Sequence, residues 1–94
     1  QYADAERAID RLANRREDDP DVWYLAAEIR GLAGNILGVH LARAHYFKLT
    51  GDLQQAEQQL ELALQRAGGN FVTSSRIKEQ QNALRRQRAL VESM

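Results

Sequence analysis

Apolar residues recur along this chain at intervals of three and four, in runs broken at residues 15–19, 34–35, 50–52 and 68–70. That period belongs to helices with one apolar face, not to the strict alternation of a half-buried strand. It predicts five helices. The first covers residues 2–14 or slightly more, with Tyr2, Ala5, Ile9 and Leu12 on one side. The second starts at Asp19-Pro20, an N-cap followed by proline in the first turn, and runs to about Ala33. Residues 35–50 form the third. In the fourth, Leu53, Ala56, Leu60, Ala63, Leu64 and Ala67 share a face; Gly51 ends the preceding helix and Asp52 caps the new one. The fifth is expected over residues 71–92, ~33 Å at 1.5 Å per residue. Its stripe is narrow, Ile77, Leu84 and Val91 with Phe71 and Leu90 nearby, and its far half is expected to project beyond the body and fray.

The third and fourth helices, "GVHLARAHYFKLTGDLQQAEQQLELALQRA", read as one hairpin that resembles the tetratricopeptide repeat, a helix pair of about 34 residues. Ala44 stands where that pattern takes a small residue, Phe47 where it takes an aromatic, and Gly51 at its turn, followed by Ala56, Leu60 and Ala63 in the second helix. His40 and Arg43 depart from it, where the family prefers Trp and Leu. Upstream, Trp23, Ala27 and Gly34 fit the same signature, and Trp23 is expected to pack between helices.

Two internal alignments conflict in an informative way. "WYLAAEIRGLAGN" superimposes on "HLARAHYFKLTGD" at an offset of 17, so both read as first-type helices. "YADAERAIDRLAN" superimposes on "LQQAEQQLELALQ" at an offset of 51, so both read as second-type helices. An offset of 51 is one and a half repeats of about 34. The third helix must therefore act as second helix to the one before it and first helix to the one after it. The expected architecture is an all-α, tetratricopeptide-like solenoid of helical hairpins. Residues 1–17 are the second helix of a truncated repeat, 20–67 an irregular three-helix unit, and 71–94 a long C-terminal capping helix. Gly38, costly inside a helix by about 1 kcal/mol relative to Ala, is expected to mark a close contact.

Composition narrows the function. Ninety-four residues make one domain at most, and a stack of helix pairs suits a chain too short for a large central core. There is no cysteine, so no disulfide framework and no thiolate zinc site. No apolar run reaches the ~20 residues that cross a bilayer. The chain opens on Gln1, and the expectation is a fragment that begins in mid-repeat. Thirteen basic and thirteen acidic residues cancel overall, yet four Arg face seven Asp and Glu in residues 1–21, and five Arg and Lys face two Glu in residues 71–94. Both ends are read as solvated faces. Head-to-tail pairing of copies is the sharper alternative, and with the apolar face expected at the cut end it makes a homodimer possible.

Catalytic patterns are missing. His40 and His45 lie five apart, on different sides of a helix, and no HExxH sequence occurs. Ser74 and Ser75 read as first-turn helix residues, and Gly68-Gly69 has neither the lysine nor the strand of a phosphate loop. Arg85, Arg86 and Arg88 lack the interleaved aromatics of a nucleic-acid surface. No catalytic, cofactor or metal residue is expected. What remains is protein binding: the repeat register places Tyr24, Glu28, His45 and Lys48 on the groove, with Leu41 at its edge, and extended segments or a docked helix are the fitting ligands.

Over residues 23–77 the resemblance becomes narrower. The Ala-Arg-Ala triplet at residues 42–44 followed by aromatics, the Leu-Thr-Gly-Asp turn at 49–52 and the double-glycine step into an Arg-Ile helix are similar to the C-terminal repeat region of bacterial M48-family zinc metalloproteases, the group of β-barrel assembly-enhancing proteases. The resemblance implies an exported, periplasmic protein whose zinc-binding HExxH domain lies upstream. It further implies repeats that meet outer-membrane barrel substrates, the barrel assembly machinery, or the protease domain of the same chain. The alternative expectation is a repeat scaffold of a cytoplasmic assembly with no link to proteolysis.

Overall fold

A computed structural model describes residues 1–94, and every ordered element in it is helical: α1 (Tyr2–Arg15), α2 (Pro20–Leu32), α3 (Ile36–Leu49), α4 (Leu53–Ala67) and α5 (Phe71–Glu92). Backbones pack only between sequence neighbours, α1 on α2, α2 on α3, α3 on α4 and α4 on α5. This is the contact pattern of a helical-hairpin solenoid, drawn out to 47 Å in its longest dimension and only 18 Å in its shortest.

Each break in the apolar pattern becomes a cap. The side chains of Asp19, Asn35, Asp52 and Asn70 accept hydrogen bonds from the amides of Asp21, Gly38, Gln55 and Thr73, at 2.9–3.1 Å. These oxygens satisfy amides that the first helical turn leaves without partners. Gly34 and Gly51 take positive φ, 79° and 87°, at the ends of α2 and α3, a conformation closed to most L side chains.

Two cores result, and α3 belongs to both. Ala42 packs with Ile9, Ala13, Val22 and Ala26; two residues on, Ala44 packs with Leu53, Ala56, Leu60, Ala63, Ile77 and Leu84. Most of the closest contacts are alanines: Ala26, Ala42, Ala56 and Ala63 have no exposed surface. A small side chain there lets facing helices approach to the near end of the usual 8–10 Å range. Leu60 and Ile77 are the largest side chains fully withdrawn from water.

Three local expectations change. The closest contact of α2 is Ala26, not Ala27, which is half-buried, because the face α2 turns to α1 and α3 is the Val22/Ala26 face. In α1, Ile9 and Ala13 form the buried pair, while Tyr2 at the helix start is exposed. The stripe of α5 stops at Leu84, with Gln81 buried between it and Ile77, and Phe71 and Val91 are 81% and 58% exposed. The reason is length: α4 has fifteen residues to cover the twenty-two of α5. The far half of α5 is nonetheless held. Glu57 of α4 receives Arg88 at 2.5 Å and Arg85 at 3.5 Å, and Gln81 donates to Glu61 at 3.0 Å.

The close contact expected at Gly38 is made with the Arg30 side chain of neighbouring α2 and with the capping Asn35. Arg30 donates to the Gly38 carbonyl at 3.1 Å and to Asp10 at 2.7 Å, and the capping Asn35 donates to Glu6 at 2.9 Å. A Cβ at residue 38 would lie 2.5 Å from Asn35 Nδ2 and 2.8 Å from Arg30 Cδ. Gly38→Ala therefore sets a helix-propensity gain of about 1 kcal/mol against a disturbed cap worth about 1 kcal/mol and a charged hydrogen bond worth ~1.5–3 kcal/mol. The expected outcome in urea unfolding is net destabilisation by about 1–2 kcal/mol. A more stable variant would mean that Asn35 and Arg30 move aside freely.

Candidate partner-binding clefts

The residues that sequence reasoning assigned to one groove lie in two. The first cleft, about 160 Å³, is bounded by α3 and α5 and floored by α4: Ala44, Leu60 and Leu84 form its base, and His45, Lys48, Gln80, Ala83 and Gln87 its walls. The second, also about 160 Å³, lies between α2 and α3 and is lined by Trp23, Tyr24, Ala27, Glu28, Arg43, Tyr46 and Phe47. At ~100° per residue, Ala44, His45 and Lys48 point away from α3 on the side opposite Arg43, Tyr46 and Phe47. Of the five groove candidates, His45 and Lys48 meet in the first cleft, and Tyr24 and Glu28 in the second. Leu41 is half-buried and packs against the core shared by α3, α4 and α5.

Sequence reasoning missed Gln80, Ala83 and Gln87. They follow an i, i+3, i+7 spacing on α5, which puts them on one helix face, but all three are polar or small and carry no apolar signal. Lys48 forms no ion pair within the chain, and no carboxylate lines its cleft. A primary ammonium and two side-chain amides above an apolar floor can hydrogen-bond the main chain and acidic groups of an extended segment.

One ring pair forms the wall between the clefts. Trp23 lines the second and His45 the first, and their rings stack at 4.1 Å between centroids with 17° between planes. Trp23 Nε1 donates to the Glu17 carbonyl at 2.8 Å, so the indole is tied to the loop before α2 as well as to α3. Beyond it the aromatic series continues, Tyr24 edge-on to Tyr46 at 5.6 Å and Tyr46 edge-on to Phe47 at 5.5 Å. The other histidine, His40, faces Gln59 of α4 at 2.8 Å, away from this wall. No cluster of three or more His, Asp or Glu in the fold has the arrangement of a metal site.

Comparison of the chain with family models, curated proteins and solved structures gave no match.

Burial pushes the His45 imidazole below its ordinary value of 6.5; the Leu41 carbonyl and, more weakly, Glu17 act the other way, and Lys48 and Arg30 add to the lowering. The folded chain thus prefers neutral His45. Above pH 6.5 this preference has no cost, since the unfolded chain holds the ring neutral too. As pH falls below 6.5 the unfolded chain takes up a proton that the folded chain resists, and stability declines until the folded value is passed. Thermal unfolding between about pH 7.5 and about pH 5 should show a falling midpoint, and His45→Phe, which keeps a ring against Trp23, should flatten part of that fall. An unchanged slope in the variant would remove His45 as the cause.

Proposed function

We propose that this chain is a non-catalytic protein-interaction domain whose α3/α5 cleft receives an extended segment of a partner protein. The observation that carries this reading is the meeting of His45 and Lys48 with Gln80 and Gln87 over a floor of Ala44, Leu60 and Leu84. Lys48, Gln80 and Gln87, whose polar ends make no hydrogen bond within the fold, stand there beside apolar surface, the combination by which extended segments are held through both main chain and side chains. The resemblance of residues 23–77 supplies the setting: a recruitment domain of a periplasmic M48-type metalloprotease that works in outer-membrane protein assembly and quality control. Its partners would then be barrel substrates, the assembly machinery, or the chain's own protease domain. In that setting zinc belongs to the upstream domain, and this segment carries none.

The immobilised chain should retain an unfolded outer-membrane barrel protein, and Lys48→Glu combined with Gln87→Ala should lower retention about tenfold, with weaker capture as salt rises. Tyr24→Ala, on the other cleft, should leave retention unchanged. Loss with Tyr24→Ala but not with the Lys48 pair would put the partner on the wrong face for this reading. Failure to retain any barrel protein or assembly subunit would remove the proposed setting. Sequence upstream of Gln1 is the cheaper check, because a signal peptide followed by HExxH is required by it.

A further inference from the structure

The aromatic cleft between α2 and α3 has a different character from the cleft on the far side, and its features match one another. Its volume, about 160 Å³, is that of a cavity able to hold one aromatic ring; an apolar cavity of ~150 Å³ accepts benzene. One wall of this recess is Tyr24, packed edge-on to Tyr46 at 5.6 Å yet 58% exposed. The outer face of α2 continues from it with Leu25 and Leu32, 44% and 66% exposed. On the rim are one carboxylate, Glu28 from α2, and one guanidinium, Arg43 from α3, and neither forms an ion pair within the chain.

We infer that this cleft is a homotypic interface and that its occupant is a second copy of the same chain, joined about a two-fold axis beside Tyr24. A two-fold contact brings the same patch together from both molecules, so it requires a surface complementary to itself. This patch meets the requirement in three respects. It carries both a ring-sized recess and, on the wall of that recess, an exposed ring, so each Tyr24 lies over the recess of the other copy. It carries one charge of each sign on opposite sides of the recess, so rotation by a half turn sets Glu28 of each copy against Arg43 of the other. The exposed leucines extend the apolar contact along the two α2 helices. A partner of a different kind would have to supply the same ring and the same ordered pair of charges, which a copy provides by symmetry. The α3/α5 cleft lies on the opposite side of α3 and stays open in such a dimer.

Sedimentation velocity over a micromolar to submillimolar range tests this, with helicity by circular dichroism confirming that each variant folds. The chain should show a concentration-dependent monomer–dimer equilibrium, and Glu28→Arg and Arg43→Glu alone should each weaken it about tenfold or more by placing like charges opposite one another. Mixing those two single variants should restore association as a one-to-one heterodimer, because Arg at 28 in one molecule then faces Glu at 43 in the other, while the second pair remains native. Tyr24→Ala should abolish the dimer. A single monomeric species at every concentration would overturn the proposal, leaving the cleft to another kind of partner. So would folded single variants that fail to associate when mixed, since Glu28 and Arg43 would then not face one another across the two-fold axis.

Discussion

The close approach of α3 to helices on two sides is the constraint from which the rest of this structure follows. A helix in a simple amphipathic hairpin buries one stripe. Here Ala42 enters the core with α1 and α2, and Ala44 the core with α4 and α5, so a dipeptide step of about 200° around the helix turns one core into two. Only small side chains permit this. With bulk at both positions the neighbouring helices would stand farther off, and the cores, which meet α3 at Ala42 and Ala44, would no longer close. The remaining faces of α3 are the two that no neighbour covers, and these are where the clefts lie.

Polar groups then fix how the neighbouring helices sit against one another. At the junction of α1, α2 and α3 a largely buried Arg30 links Asp10 to the Gly38 carbonyl while Asn35 both caps α3 and reaches Glu6. At the other end Glu57 and Glu61 of α4 hold Arg85, Arg88 and Gln81 of α5. Each set includes buried or half-buried polar groups whose partners are all present, and no buried side-chain nitrogen or oxygen is left unsatisfied. These contacts also alter the meaning of the charge asymmetry between the chain ends. Part of the acidic excess in α1 and part of the basic excess in α5 are neutralised inside the molecule, which leaves less of either for pairing between copies.

The legible part of the fold was the part written in periodicity and punctuation. Asp19-Pro20, Gly34-Asn35, Gly51-Asp52 and Gly69-Asn70 marked the helix boundaries because caps and left-handed turns are local chemistry, decided within a few residues. Two repeats that could not both be in phase pointed to packing on both sides of α3, and its Ala42 and Ala44 do enter two cores. Which alanine makes a contact was not legible, because Ala26 and Ala27 are equally small and only the direction of the neighbouring helix distinguishes them. The groove was misdrawn for a related reason. Transferring repeat positions onto α2 and α3 alike assumed that both helices face the same way, whereas Tyr24 and Glu28 open on one side of α3 and His45 and Lys48 on the other. Gln80 and Gln87 escaped notice because amides on an exposed helix face look the same in sequence whether or not a cleft lies beneath them.

An irregular repeat has a consequence that a regular one lacks. In an array of uniform hairpins each helix keeps to one layer, and the surface available to partners is a single continuous groove. When one helix serves as the second member of one pair and the first of the next, the layers exchange roles at that helix, and surface that would have been covered becomes exposed. The Trp23–His45 stack lies at this helix, with one ring lining each cleft and burial holding the imidazole pKa below its ordinary value. Two clefts on opposite sides of α3, separated by one pair of stacked rings, follow from a helix that enters one core through Ala42 and another through Ala44.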